Sequence, residues 1–365
     1  MVNFDNSATT FPKPSGVSNA VARGITEFGG NPGRSGHAIS MKVSGAVYSV
    51  RSAAADFFGA EPENVVFTLN ATMSLNMAIK GIMQKGGHII ISSMEHNAVG
   101  RPVHALYLKG VIDYSIADVS ENDTQTVKNF EKLIKQDTKC ICCTIASNVT
   151  GRILPYHQIA ELCKKRGICF IVDAAQGAGI LPLNLSDGFN FICTSGHKGL
   201  YGPTGTGLLI SDGKYPLTTI IEGGTGATSA ELKQTSFLPE QLESGTINTV
   251  GIMGLGESLK FVKRVGVNNI HTKEQKLCNL FIKNISKNRK IKIYRDSGNF
   301  APIVSFNIEN YSSYDVASIL SDKGFALRGG LQCAAITHRF LGTTQSGIVR
   351  FSPGYFNTPQ QVMRL

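Results

Sequence analysis

The chain has 365 residues, of which 42% are hydrophobic and 17% are charged, and it contains no tryptophan. This composition excludes an intrinsically disordered protein, and the length predicts one large domain together with a smaller one. The formal net charge is +10, but the lysines and arginines are scattered and no aromatic side chains alternate with them. We therefore predict no nucleic-acid binding, while an acidic protein partner is compatible with the charge.

The N-terminus lacks a basic start followed by an apolar stretch, and no run approaches the ~18 apolar residues of a membrane span. We therefore expect a cytoplasmic protein without membrane association. Most of the eight cysteines lie within apolar runs, where cysteine behaves as a small hydrophobic residue. Cys140, Cys142 and Cys143 belong to an alternating segment that is typical of a buried strand, so we predict no metal site there.

From about residue 44 to about residue 220, apolar runs of strand length alternate with segments of helical periodicity. This pattern predicts an α/β fold in which helices cover a mostly parallel, seven-stranded sheet. The predicted strands are residues 65–68, 88–92, 111–115, 140–146, 168–173, 190–194 and 207–211, and the predicted helices are residues 44–58, 72–83 and 156–166.

Beyond about residue 255 the pattern changes to that of a smaller α+β domain. Its predicted helices are residues 253–265, 273–286 and 315–323, and its predicted strands are residues 290–294, 303–308 and 348–352. We predict a large domain at residues 16–255 and a small domain formed by residues 1–15 and 256–365. Thr358-Pro359-Gln360-Gln361 starts a further helix with a capping box. Because a helix that ends at Leu365 is too short to be stable alone, we expect a longer native C-terminal helix.

Two ionisable residues follow neighbouring apolar strands. Asp173 ends the strand 168–173, and Lys198 comes 25 residues later, just after the strand 190–194. A carboxylate and an amine at the carboxyl ends of two strands can hold pyridoxal phosphate, because the carboxylate keeps the pyridine nitrogen protonated and the lysine forms a Schiff base. On spacing alone, the pair equally fits an ordinary buried ion pair.

A third group at the same edge is suited to a phosphate. Asn70-Ala71-Thr72 joins the strand 65–68 to a helix, which directs free backbone N–H groups and a hydroxyl toward that edge. Thr72 alone is weak evidence, since threonine also caps many helices. Ser195 and His197 flank Lys198, and they either bind the same phosphate or serve as local turn and capping groups.

Three more side chains follow predicted strands at this edge. The imidazole of His96 can lie flat over a planar cofactor, although a lone histidine after a strand is more often a hydrogen-bonded loop residue. The amides of Asn148 and Gln176 can bond a hydroxyl on the cofactor ring.

Together these residues resemble the class V aminotransferase family of pyridoxal phosphate enzymes. Within it, the chain resembles the cysteine desulfurases of the selenocysteine-lyase-like group, over nearly its whole length up to Arg350. The motifs that carry the resemblance are Glu95-His96, Ser147-Asn148-Val149, Val172-Asp173-Ala174-Ala175-Gln176, Ser195-Gly196-His197-Lys198, Tyr201-Gly202-Pro203-Thr204-Gly205 and Glu243-Ser244-Gly245-Thr246-Ile247-Asn248-Thr249.

The resemblance implies an aspartate aminotransferase-like fold of type I and a homodimer with shared active sites. It makes Lys198 the Schiff-base lysine, Asp173 the partner of the pyridine nitrogen and His96 the stacking ring. The implied cofactor-binding positions are Ala71, Thr72, His96, Asn148, Asp173, Gln176, Ser195, His197, Lys198 and, from a second subunit, Thr246. The implied substrate-binding positions are Asn148, Arg328 and Arg350, of which Arg350 clamps the substrate carboxylate. Without the family, Arg350 also fits a surface arginine at a strand end.

Cys333 distinguishes the candidate chemistries. It lies in Leu327-Arg328-Gly329-Gly330-Leu331-Gln332-Cys333-Ala334, which resembles the Arg-x-Gly-x-x-Cys-Ala loop of these desulfurases. A thiol on a glycine-flanked loop is reachable, and Arg328 nearby favours a thiolate. The alternative is a buried structural cysteine, which the absence of a long apolar run disfavours.

Two positions depart from the family pattern. Gly199 is an apparent insertion after Lys198, so we expect a different turn there. Ala71 stands where relatives commonly carry a hydroxyl residue. The predicted phosphate-binding site therefore has one hydrogen-bond donor fewer.

The resemblance implies a cysteine desulfurase that converts L-cysteine to L-alanine and leaves a persulfide on Cys333 for an acceptor protein or a reductant. The alternatives are a selenocysteine or cysteine-sulfinate lyase, and a class V aminotransferase in which Cys333 is incidental. A non-enzymatic sulfur-relay or regulatory module is a further alternative, which the presence of Asp173, Lys198 and Arg350 disfavours. The sequence does not identify the acceptor pathway, such as iron–sulfur cluster assembly.

Overall fold

The computed structural model describes residues 1–33, 36–226 and 229–365. The predicted large domain at residues 16–255 includes the four positions that lie outside this description. The described helices are α1 Ser15–Thr26, α2 Ala38–Phe58, α3 Ala71–Met83, α4 Asn97–Leu108, α5 Asp123–Lys132, α6 Tyr156–Arg166, α7 Thr249–Val265, α8 Val267–Ile285, α9 Ser313–Asp322, α10 Ala335–Phe340 and α11 Pro359–Met363. The described strands are β1 Val2–Asn3, β2 Val65–Thr68, β3 His88–Ser92, β4 Asp113–Ala117, β5 Thr138–Thr144, β6 Cys169–Asp173, β7 Phe191–Ser195, β8 Gly207–Ser211, β9 Ile291–Ile293, β10 Val304–Ile308, β11 Phe325–Ala326 and β12 Val349–Phe351.

The central sheet has seven strands in the order β2-β8-β7-β6-β5-β3-β4. Strands β4, β3, β5, β6 and β7 pair in parallel, whereas β8 is antiparallel to both of its neighbours. All residues of β6 and β7 are buried, as expected for strands that helices cover on both faces. The prediction of a mostly parallel, seven-stranded α/β sheet is therefore confirmed.

Apolar side chains fill both sides of this sheet. One large cluster joins it to α2, α6 and α7, and a second joins its other face to α3 and α4. The parallel strands all run in one direction, so β5, β6 and β7 end at one edge, and the site is built on the loops that leave that edge.

One predicted strand was displaced. The run 111–115 is predicted to be a strand, but β4 starts at Asp113 because Gly110 and Val111 form the cap that follows the C-terminus of α4. The Val111 N–H donates to the Leu106 carbonyl, and Gly110 has a left-handed φ of 68°. This is the pattern of a Schellman cap, in which a hydrophobic residue follows the glycine.

Other predicted elements have the right type with shifted ends. The strand predicted at 140–146 runs from Thr138 to Thr144, because the chain beyond it turns back and Ser147 bonds Arg152. The helix predicted at 44–58 begins at Ala38, where the His37 side chain caps it. The helices predicted at 253–265 and 273–286 begin at Thr249 and Val267, because Asn248 caps the first and only Gly266 separates the two.

The C-terminal part contains an antiparallel sheet in the order β12-β10-β9, which packs with α8 and α9 around a separate apolar cluster. The predicted capping box at Thr358 is present at the start of α11. The division into domains at residues 15/16 and 255/256 stays a prediction. Within the described part of the chain, no helix has both the length and the apolar character needed to cross a lipid bilayer.

Candidate active site

The carboxyl ends of the parallel strands enclose a cavity of about 250 Å³. Asp173 and Ser195 are the last residues of β6 and β7, and the first turn of α3 faces them from the side. The structure thus brings together nine of the thirteen predicted site residues as lining of one cavity: Ala71, Thr72, His96, Asn148, Asp173, Gln176, Ser195, His197 and Lys198.

Asp173 and Lys198 influence each other across this cavity. Burial raises the pKa of the Asp173 carboxyl, while the N–H of Ala175, 2.9 Å from Oδ1, and the Lys198 amine oppose that shift. Burial also lowers the pKa of Lys198 to about 8, although Asp173 opposes that shift. A buried carboxylate of this kind is stabilised by a cation such as a protonated pyridine nitrogen.

The first turn of α3 is suited to an anion. The side chain of Asn70 caps the helix by accepting from the N–H of Met73 at 3.0 Å, and Thr72 is exposed toward the cavity. The N–H of Ala71, however, donates to Oγ of Ser195 at 3.0 Å. The missing hydroxyl at Ala71 is therefore partly replaced by a serine hydroxyl that is held at the helix N-terminus.

His197 adds a polar atom to the same wall. Its Nδ1 is buried and has no hydrogen-bond partner among the described residues. Burial lowers the pKa of His197 to about 4, and the nearby cations Lys198 and Lys13 add to this shift. A neutral ring with an unpaired nitrogen fits a site that binds a phosphate oxygen.

His96 forms the start of α4 and faces the cavity. Its Nδ1 accepts a hydrogen bond from the N–H of Ala98 at 3.0 Å. Burial lowers the pKa of His96 to about 4, and Lys198 and Arg328 lower it further. The imidazole is therefore neutral at neutral pH, and it can stack on a planar cationic ring without charge repulsion.

Two amides complete the cavity wall. The Nδ2 atom of Asn148 donates to the carbonyl of Gln332 at 2.7 Å, so only its Oδ1 atom is left without a partner among the described residues. Gln176 donates to the carbonyl of Ser7 at 3.0 Å. These contacts tie the cavity to the Cys333 loop and to the N-terminal segment.

Cys333 is exposed, whereas the other seven cysteines are buried. Gln332 and Cys333 both have left-handed φ angles, of 41° and 58°, a conformation that costs energy for residues other than glycine. The loop is nevertheless fixed, because the carbonyl of Cys333 accepts from the N–H of Asn97 at 2.7 Å. The thiol therefore lies on a loop that is bonded to the residue next to His96.

Arg350 is buried in β12. Its guanidinium donates to the carbonyl of Asn148 at 2.8 Å and to Oδ1 of Asp5 at 2.6 Å, while its Nε atom is buried without a partner among the described residues. This burial excludes the alternative that Arg350 is a surface arginine at a strand end. Its pairing with Asp5 was not predicted, since the two residues are 345 positions apart.

Thr246 lies away from the Lys198 cavity. It lines a different cavity, of about 470 Å³, where Asn31 Nδ2 is 3.5 Å from its Oγ1 atom. The predicted contribution of Thr246 to a site in a second subunit stays a prediction.

Gly199 fits closely against another glycine. A Cβ atom on Gly199 would lie 2.4 Å from the carbonyl oxygen of Ala178, and a Cβ atom on Gly179 would lie 2.1 Å from the carbonyl oxygen of Gly199. The backbone after Lys198 therefore packs against the backbone at residues 178 and 179 without a side chain at the contact, and the insertion itself stays a prediction.

Glu95 is a buried acid next to the site. The sequence indicated it only as part of the motif Glu95-His96. Its Oε1 atom accepts from the Ser92 hydroxyl and from the N–H of Thr144. Burial raises the pKa of Glu95 to about 8, and the Asp173 charge adds to this shift. The side chain is therefore protonated at neutral pH.

Comparison with known proteins identifies the family of this chain. A family model described as aminotransferase class-V matches residues 2–365. A probable cysteine desulfurase of Methanothermobacter thermautotrophicus is 29% identical over 371 residues, covering 99% of this chain and 92% of the relative. A probable cysteine desulfurase of Pyrococcus abyssi is 30% identical over 377 residues, with the same two coverages of 99% and 92%.

A solved structure shows the same relationship. The apo structure of the cysteine desulfurase from Thermococcus onnurineus NA1 superposes with a TM-score of 0.92 at 30% sequence identity, covering 99% of this chain and 92% of that one.

Proposed function

This chain belongs to the class-V aminotransferase family, and from that membership and the geometry of the site we propose that it is a pyridoxal phosphate-dependent cysteine desulfurase. The observation that carries the proposal is the position of the exposed Cys333 thiol. Its loop is hydrogen-bonded to Asn97 and Asn148, at the wall of the cavity that holds Lys198 and Asp173.

The residues of the cavity fit the cofactor of this family. Lys198 would bind it covalently through Nζ, Asp173 would face the pyridine nitrogen and His96 would cover the ring. Thr72, Ser195 and His197 would receive the phosphate at the start of α3. The buried Nδ1 atom of His197, which has no partner within the described part of the chain, supports this fit. When bound, the cofactor supplies an electron sink for charge that develops on the substrate.

Lys198 is suited to move a proton. Because burial lowers its pKa to about 8, roughly a tenth of the amine is neutral at pH 7 and about half at pH 8. A neutral amine in the cavity can take the proton from the Cα atom of the substrate and later return it. Arg350 would orient that substrate by binding its carboxylate, and the bonds to Asp5 and Asn148 hold the guanidinium in place.

Cys333 would accept the sulfur. Its Sγ atom attacks the sulfur of the substrate cysteine, a sulfur–sulfur bond forms, and the bond between that sulfur and the substrate Cβ breaks. The electron pair of the broken bond stays with the substrate carbon, which takes a proton and becomes the methyl group of alanine. The protein keeps the transferred sulfur as a persulfide, so the step needs no external oxidant.

Release of the persulfide needs a second molecule. We propose that a sulfur-acceptor protein or a reductant removes it, as in iron–sulfur cluster assembly, because Cys333 lies on the surface. The net charge of +10 favours encounter with an acidic acceptor. We also propose a cytoplasmic enzyme, since all eight cysteines are free thiols.

We propose in addition that the enzyme is a homodimer in which Thr246 serves the partner's site. Thr246 is not among the residues that line the Lys198 cavity of its own chain, and it lines the second cavity. Sedimentation velocity is expected to give twice the mass of the 39.2 kDa chain. A monomer that is fully active would contradict this assignment.

The test of the proposed function is turnover of L-cysteine with and without a reductant. The wild type is expected to form alanine and, with reductant, sulfide in equal amounts and without consuming a keto acid. Cys333→Ser is expected to abolish both products while it keeps the absorbance of the lysine-bound cofactor. Undiminished alanine formation by Cys333→Ser would refute the role of the thiol. Consumption of a keto acid would instead indicate an aminotransferase.

A further inference from the structure

Tyr201 has an unusual backbone conformation three residues after Lys198. Its φ angle is 60°, in the left-handed region that residues other than glycine rarely occupy. The N–H of Tyr201 donates to the carbonyl of Lys198 at 2.8 Å, and the N–H of Gly202 donates to the carbonyl of Gly196 at 2.7 Å. The turn that carries Lys198 thus closes through a residue in a costly conformation, which its surroundings must hold.

The side chain of Tyr201 is held from a distant part of the chain. It is only 1% exposed, and its hydroxyl donates to Oε1 of Glu274 at 2.7 Å. The same hydroxyl accepts from the N–H of Tyr355 at 2.6 Å. Both hydrogen-bonding roles of the hydroxyl are therefore used, and α8, which carries Glu274, is linked directly to the lysine turn.

Glu274 also borders the rear of that turn. A small cavity of about 30 Å³ is lined by Glu274, Lys198 and Gly199 among others, which leaves room for roughly one water molecule. Burial raises the pKa of Glu274 to about 8, so the side chain is a neutral acceptor at neutral pH.

We propose that Tyr201 and Glu274 are positioning residues whose hydrogen bond holds the turn at residues 198–201 so that the Lys198 amine faces the cofactor cavity. The hydroxyl fixes the direction of the Tyr201 side chain, and that direction maintains the left-handed backbone that closes the turn. The inference rests on the proposed role of Lys198 as the cofactor lysine, but it does not depend on the chemistry of Cys333.

The test measures how fast the full-length apoprotein captures pyridoxal phosphate as a function of pH. Borohydride reduction followed by peptide mass spectrometry locates the cofactor on Lys198. In the wild type the capture rate is expected to rise with a midpoint near 8, the pKa that burial gives to Lys198. The charged and titratable groups that face the amine are Asp173, Arg328, Cys333 and Arg350, with His96 and His197 on the cavity wall and Glu274 at the rear of the turn. All of them stay unchanged in Tyr201→Phe, so that variant separates the hydrogen bond from the titration of Glu274.

Four variants separate positioning from general stability. Tyr201→Phe and Glu274→Leu remove the hydrogen bond, so capture is expected to slow about tenfold, as small misplacements of reacting groups do. The midpoint is expected to move upward, because a looser turn admits water to the amine. Glu274→Gln keeps a neutral oxygen acceptor and is expected to stay within about twofold of the wild type. Tyr114→Phe is the control and is expected to match the wild type. It removes the hydroxyl of Tyr114 on the edge strand β4, which is hydrogen-bonded to His104 of α4.

The inference is overturned if Tyr201→Phe or Glu274→Leu folds and keeps the wild-type capture rate and midpoint. If one of these two variants fails to fold, the capture rate and midpoint of the other, compared with those of Glu274→Gln, decide the test. Failure of the proposed function is a separate result: the wild type would capture the cofactor on Lys198 and yet release no sulfur from cysteine.

Discussion

The guanidinium of Arg328 donates a hydrogen bond to Sγ of Cys333, with 3.6 Å between Nη2 and the sulfur. The backbone of Arg328 is in turn fixed to Arg350 by two antiparallel hydrogen bonds. The residue that holds the thiol is thereby joined to the arginine that would bind the substrate carboxylate. This arrangement keeps the sulfur nucleophile and the substrate anchor in a constant relation.

Replacing Arg328 by methionine is expected to slow persulfide formation about two- to tenfold, since a net hydrogen bond contributes about 0.5–1.5 kcal/mol. The pKa of Lys198 is expected to rise slightly, because Arg328 is one of the cations that lower it. Single-turnover formation of alanine measures the first effect. An unchanged rate would show that the contact does not orient the thiol.

Replacing Arg350 by lysine is expected to raise the KM for cysteine about 10- to 100-fold, because hydrogen bonds to charged groups contribute about 1.5–3 kcal/mol and an ammonium cannot form the paired contact. Steady-state kinetics measures this change. Arg289→Lys, at an exposed position, is the matched control and is expected to leave KM unaltered. Equal KM values for both variants would show that Arg350 does not bind the substrate carboxylate.

The fold was largely predictable where burial makes the pattern simple. The strands β2, β3 and β8 and the helix α6 have the predicted bounds, because uniformly buried strands give short apolar runs. The helix α4 was not predicted, since Pro102 lies inside it and proline usually argues against a helix interior. The antiparallel direction of β8 also depends on pairing that no local pattern encodes.

The candidate site was predictable at the strand ends and not elsewhere. Asp173 and Lys198 follow apolar runs, so their convergence could be inferred from the direction of the strands. The bond between Asp5 and Arg350 and the bond between Tyr201 and Glu274 join residues that are far apart in the sequence. Such contacts depend on packing between segments, which a single sequence does not report.

Replacing Gly199 by alanine is expected to destabilise the protein by about 1–3 kcal/mol, as overpacking does, and to weaken cofactor binding. The added Cβ atom would lie 2.4 Å from the carbonyl oxygen of Ala178. The control is Gly45→Ala in the exposed face of α2, where a Cβ atom meets nothing within 4 Å. That change is expected to stabilise the helix by about 0.5–1 kcal/mol. Urea unfolding compares the two, and a Gly199→Ala protein as stable as the wild type would contradict the contact.

Glu95 is expected to make stability depend on pH. Its pKa is about 8 in the folded protein and near 4.5 in the unfolded chain, so the folded state holds a proton that the unfolded state has lost between these values. The stabilisation from this group is therefore complete below about pH 4.5 and is lost as the pH rises toward 8.

Glu95→Gln removes this titration and keeps an oxygen that can accept from Ser92 and Thr144. From pH 5 to pH 8, the free energy of unfolding of the wild type is expected to fall relative to that of the variant, by at least about 1 kcal/mol. Glu274 titrates in both proteins, so the difference isolates Glu95. Parallel curves across this range would show that Glu95 is ionised in the folded protein.

The most direct test of the central claim is intact and peptide mass spectrometry of the cofactor-loaded enzyme after a single turnover of L-cysteine without reductant. We expect one alanine per active site and the mass of one added sulfur atom on the peptide that contains Cys333, reversed by dithiothreitol. Formation of alanine with the added sulfur on another residue, or with no sulfur retained by the protein, would contradict the account.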